Sequence, residues 1–157
     1  MFENWAFTSL SEGASLVIFE TPSVEFRFSA AGHISARKGI VPFQDSMIYR
    51  AAPGFPSIDG WGLVKNTLLF IQATVSPTHS DAEWTHIQHI VSSVGKNATS
   101  ALMVYLVPNG SAFTLPLCQS LNAHKIQFKV CRGEISVQDF YKTISSKFKI
   151  TVQAARD

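Results

Sequence analysis

Polar and apolar positions in the opening segment MFENWAFTSLSEG recur at helical spacing. Phe2, Trp5, Ala6, Ser9 and Leu10 form one stripe, and Gly13 stands where such a helix stops. Glu3 lies in its first turn, where the helix dipole favours a carboxylate. ASLVIFE follows as a strand, TPS as a turn, and VEFRFSA as a half-buried strand in which Val24, Phe26 and Phe28 alternate with Glu25 and Arg27. From 32 to 56 the pattern is weak: SMIYRA fits a short strand and AAPGFP a loop. NTLLFIQATV is the strongest strand signal. Leu68, Phe70, Gln72 and Thr74 share one face, and the all-apolar set Leu69, Ile71, Ala73 and Val75 shares the other. After the loop SPTH, SDAEWTHIQHIVSSVG reads as a helix opened by Ser80 and Glu83 at capping-box spacing, with Trp84, Ile87, Ile90, Val91 and Val94 on one stripe. ALMVYLVP is apolar throughout, as a strand covered on both faces is. LPLCQSLNAH fits a short helix or turn and KIQFKVCRG a strand. SVQDFYKTISSKFK is a closing helix with Ser136 and Asp139 at cap spacing and Ile135 and Phe140 placed for a hydrophobic staple.

Hairpins in the first half and alternating helices and strands in the second predict a three-layer α/β/α sandwich around a central mixed sheet. With 157 residues and neither repeat nor linker, the expectation is one domain over 1–157. An apolar content of 46% against 15% charge suits a well-filled core. The net charge of +2 is too small to argue for nucleic acid without a local basic surface. Cys118 and Cys131 make neither a disulfide framework nor a CxxC pair, which suits a reducing compartment. No run reaches the ~18 apolar residues of a membrane span, and the first residues do not read as a signal peptide, so a soluble chain is expected. The sequon at Asn97 matters only in a secreted protein.

The candidate chemistry centres on Asp59 and Gln72, which have 12 residues between them. Gln72 interrupts an apolar strand: it faces solvent, or it faces a cleft that uses its amide. Asp59 before Gly60 also reads as a turn, Glu3 as a dipole-compensating residue and His79 as a loop histidine near a cap. His86 and His89 share a helix flank, yet no cysteine or acidic ligand stands at zinc spacing.

The order of these features resembles the PD-(D/E)xK nuclease architecture. PSID at 56–59 and QAT at 72–74 stand where its P-D and (D/E)-x-K signatures fall. FENWAFTSLSEG, FIQATVSPTH and YLVP resemble the restriction endonuclease-like domain of Crinkler effectors and retrotransposon hot spot proteins, over roughly residues 2 to 110. The resemblance implies divalent-metal-dependent DNA phosphodiester hydrolysis with Mg²⁺ or Mn²⁺. Asp59 would be the principal ligand, Gln72 would give its side-chain oxygen, Ala73 its carbonyl, and Glu3 would assist. A hard cation takes such oxygen ligands, polarises the scissile phosphate and activates a water. Thr74 replaces the usual lysine and brings no charge. Lys65 in the preceding loop and His79 beyond the strand are the candidates to supply charge and proton transfer.

DNA is the implied partner. Arg37, Lys38, Lys125, Lys129, Arg132, Lys142, Lys147 and Lys149 are the cations available for phosphates, or else form an ordinary solvated surface. Such domains usually follow an NTPase module, and no GxxxxGK[ST] occurs here. The setting implied is nuclear, in a host cell for an effector that meets host nuclear proteins, and otherwise cytoplasmic. The rival expectation is a catalytically inactive domain of the same fold that binds DNA or protein, which Thr74 and Gln72 both favour. A small-molecule α/β enzyme lacks its GxSxG or GxGxxG signature here.

Overall fold

The computed structural model of the chain describes residues 2–19, 23–32, 44–51, 58–78, 87, 91, 98–116 and 127–136. Helix α1 is Phe2–Ser11, and the strands are β1 Leu16–Ile18, β2 Val24–Phe26, β3 Ala30–Gly32, β4 Met47–Arg50, β5 Gly60–Val64, β6 Thr67–Ala73, β7 Ser100–Leu106 and β8 Gln127–Ile135. α1 ends as its glycine predicts. Gly13 takes φ +93°, and the Ala14 N–H donates back to the Ser9 carbonyl, a Schellman closure.

Among the described residues the strands form one mixed sheet in the order β2-β1-β8-β7-β6-β5-β4-β3. β6, β7 and β8 are parallel, β4–β5 and β5–β6 antiparallel. The fold is of the α/β class with a mixed sheet, as expected. Leu68, Leu69, Phe70 and Ile71 are all 0% exposed, so both faces of β6 are covered. One face carries α1: Ala6, Phe7 and Leu10 pack there with Leu69, Ile71, Leu102, Val104 and Cys131. The other holds Trp61, Leu68, Phe70, Met103 and Tyr105 against Ile87 and Val91, both helical and one turn apart, as the stripe through them predicts. Phe7 joins the core although it lies off the expected stripe.

The sheet is strongly curled. β2 and β3 are its two edges, yet only residues 27–29 join them. Seven strand spacings of about 4.8 Å would set the edges of a flat sheet about 34 Å apart. Three linking residues span about 14 Å at most. The link crosses the α1 face, where Phe28 is buried against Gly62. That face is therefore the concave one.

Two strands escape sequence patterning. β3 begins at Ala30, the last residue of VEFRFSA, which reads as one strand, and reaches the weak stretch only at Gly32. β5 reads GWGLV, and its glycines conceal it because glycine weakens a strand. Both are required by packing. A Cβ on Gly60 would stand 2.6 Å from the Tyr49 carbonyl oxygen and inside the Phe7 ring; on Gly62 it would meet Phe28 and lie 3.0 Å from the Met47 oxygen. Asp59–Gly60 is thus not a turn. Gly60 opens β5, and the hairpin turns at Lys65 and Asn66, with φ 50° and 62°. Gly60→Ala and Gly62→Ala are each expected to lower stability by about 1–3 kcal/mol. Urea unfolding would show this as a lower midpoint at unchanged slope, and an unchanged midpoint would refute the close packing.

Candidate functional site

β4, β6, β7 and β8 run in one direction, so their carboxyl ends and the start of β5 share one end of the sheet. Crevices outside carboxyl ends are where open α/β sheets bind ligands. Asp59 sits there, woven into the ladder. Its N–H donates to the Ile71 carbonyl at 2.8 Å, its carbonyl accepts from the Ala51 N–H at 2.8 Å, and its Oδ2 accepts from the Ala73 N–H at 2.8 Å. The carboxylate thus takes over the Ala73 N–H where the β5–β6 register, whose last pair at this end is Gly60 with Ile71, stops.

Gln72 is half-buried and lies on the face of Leu68 and Phe70. In register beside it come Tyr105 on β7 and Arg132 on β8. The Asp59 carboxylate therefore meets the backbone of Ala73, the residue that follows Gln72. Thr74 is not open to the site. It is 9% exposed, and its hydroxyl accepts from the Ser76 N–H at 3.1 Å.

The other expected participants fall elsewhere. Glu3 rides on α1, on the opposite face from Gln72, and pairs with Arg50 at 3.0 Å. Arg50 also donates to Asn4 and lies 5.7 Å from the centre of the Phe7 ring. Its guanidinium fastens α1 to β4, a role the pattern SMIYRA did not reveal. Lys65 is at the wrong end. It occupies the β5–β6 turn, six residues and about 20 Å of extended chain from Asp59. His79 lies outside the described residues, as do His86, His89, Cys118, Arg37, Lys38, Lys125, Lys142, Lys147 and Lys149.

Of the expected phosphate-contacting cations, Lys129 is exposed near the amino end of β8. Arg132 is drawn inward instead. It pairs with Glu134 at 2.5 Å and lies 5.9 Å from the centre of the Phe19 ring. Glu134, 8% exposed, also accepts from the Gly110 N–H at 3.1 Å, which ties the loop after β7 to β8. The alternation of KVCRGEI would place Arg132 and Glu134 on one face, but not show that they pair.

Among Asp59, Gln72 and Ala73, the side-chain contact is that of the Asp59 carboxylate with the Ala73 N–H, and the Gln72 side chain lies on the face of Leu68 and Phe70. Among the described residues, no three of His, Cys, Asp and Glu cluster as metal ligands, and no helix is long and apolar enough to cross a membrane. Comparisons with family models, with curated proteins and with solved structures return no match to this chain.

Asp59→Ala leaves the Ala73 N–H without its carboxylate acceptor and is expected to cost about 1–3 kcal/mol, whereas Asp59→Asn keeps an oxygen in place and costs less. Hydrogen exchange at the Ala73 amide reads this directly. Faster exchange in the alanine variant alone is the expected result.

Proposed function

We propose that this chain is a restriction endonuclease-like domain, built in three α/β/α layers, that hydrolyses DNA phosphodiester bonds with the help of Mg²⁺ or Mn²⁺. The observation that carries the reading is the contact between Asp59 and the Ala73 N–H. It holds an acidic side chain at the carboxyl end of a central strand, at the residue that follows Gln72. Asp59, the Gln72 side-chain oxygen and the Ala73 carbonyl are the donors for the cation. A bound cation would polarise the phosphate and make a water acidic enough to attack.

Asp59 contributes the negative charge, and its ladder contacts hold it in position. Gln72 contributes a neutral oxygen. On this reading DNA is the partner, a nuclear setting in a host cell follows for an effector, and an NTPase module is the natural companion.

A second reading is supported by where the charge is missing. The Thr74 hydroxyl is engaged locally, Glu3 is paired with Arg50, and Lys65 is at the far turn. An inactive domain of the same fold, binding DNA or protein, fits those features.

The test is cleavage of plasmid and linear DNA with Mg²⁺ or Mn²⁺ by the wild type, Asp59→Asn and Gln72→Ala, each shown to be folded. The expected loss for Asp59→Asn is at least about 100-fold, equivalent to about 2.7 kcal/mol of barrier. Equal cleavage by all three proteins overturns the assignment. DNA binding that weakens steeply with salt, without cleavage, selects the inactive domain.

A further inference from the structure

The loop that follows β7 carries a reactive pair of residues at its tip. Asn4, Asn66, Asn97 and Asn122 precede Trp5, Thr67, Ala98 and Ala123, whereas Asn109 precedes Gly110. The difference bears on one reaction of the backbone. The amide nitrogen after an asparagine can lose its proton and attack the side-chain carbonyl carbon, and a Cβ on the attacking residue obstructs the approach. Gly110 has no Cβ. Asn109 and Gly110 are both exposed.

Pro108 to Ser111 form a tight turn. The Ser111 N–H donates to the Pro108 carbonyl at 3.1 Å, and Gly110 takes φ +71°. That is the type II pattern, with Asn109 and Gly110 at its centre. A Cβ at Gly110 would meet nothing within 4 Å, so the glycine answers the backbone angle and not a neighbour. One contact leads out of the turn: the Gly110 N–H donates to the Glu134 carboxylate at 3.1 Å. Glu134 is 8% exposed and is itself held by Arg132. The amide nitrogen attacks in the peptide plane, along the direction its hydrogen occupied. Ring closure at Asn109 therefore has to break the bond to Glu134 first.

We propose that Asn109–Gly110 is a site of spontaneous deamidation that Glu134 holds closed in the folded chain. The Gly110 nitrogen gives its proton to a solvent base and bonds to Asn109 Cγ. The Cγ–Nδ2 bond breaks, and that nitrogen takes up a proton and leaves as ammonia. One water then opens the cyclic imide at either carbonyl, which yields aspartate or isoaspartate. Either product sets a new carboxylate close to that of Glu134, and like charges repel. Isoaspartate also lengthens the backbone of the turn. Both changes loosen the tie between the β7 loop and β8. The site is independent of any chemistry at Asp59.

Mass spectrometry of the peptide containing Asn109, after the full chain has stood at mildly alkaline pH, tests this. The wild type is compared in its folded state and in urea. Glu134→Ala and Glu134→Gln are compared folded, and Gly110→Ala in urea. In urea, Asn109 should convert ahead of Asn4, Asn66, Asn97 and Asn122, and Gly110→Ala should suppress that conversion. The folded wild type should convert about tenfold more slowly or less, the scale of a hydrogen bond to a charged group. Glu134→Ala should recover much of the unfolded rate. Glu134→Gln, whose side-chain oxygen still accepts from Gly110, should stay protected. Where Glu134→Ala does not fold, Glu134→Asp, one methylene short of the turn, takes its place. Conversion of Asn109 in urea no faster than that of the other asparagines overturns the proposal. So does equal conversion of the folded and unfolded wild type, or full protection in the folded alanine or aspartate variant.

Discussion

The short connection between the two edges of the sheet governs the rest of the molecule. Because residues 27–29 must carry the chain from β2 to β3, the sheet has to wrap around the face they cross. A wrapped sheet has an inside, and the inside must be filled. α1 and Phe28 fill most of it. Their aromatic rings come so close to β5 that only glycine fits at Gly60 and Gly62. The strand that looks weakest in isolation is thus the one most tightly constrained by its surroundings. Outside the curl, Ile87 and Val91 close the convex face, so the middle of β6, Leu68 to Ile71, meets no water on either side.

This arrangement gives the two ends of the parallel strands different characters. At the carboxyl end the polar groups are tied to one another or to the backbone. Asp59 holds the Ala73 N–H, Glu134 holds Arg132 and the Gly110 N–H, and Arg50 holds Glu3 and Asn4. Such bonds make a rigid platform, and rigidity is what a site for a metal or a phosphate needs. They also consume the positive charge nearby, because the arginines at this end answer carboxylates within the fold. At the amino end, among the described residues, the Thr67 and Ser100 hydroxyls hydrogen-bond to each other.

The proposed chemistry rests on the carboxyl end. The surface cations among the described residues do not form one belt. Arg132 is turned inward, Lys65 sits at the β5–β6 turn, and Lys129 lies near the amino end of β8. The proposed binding of nucleic acid therefore depends on local contacts more than on the net charge of +2.

Sequence alone determined the helix Phe2–Ser11 with its glycine stop, β6 and β7, and the burial of Ile87 and Val91. In each, the period of the apolar residues is a local property that survives into the fold. It also brought out Asp59 and Gln72 as a pair, since an acid before a strand and an amide within one stand out against apolar neighbours. Tertiary structure alone decided the remainder. β5 was hidden because the need for glycine arises from rings arriving from α1 and from the link after β2. Lys65 and Glu3 were misplaced for a similar reason. Nearness along the chain does not tell which end of a hairpin or which face of a sheet a residue occupies, and that is fixed only when the strands pair and the sheet closes around its core.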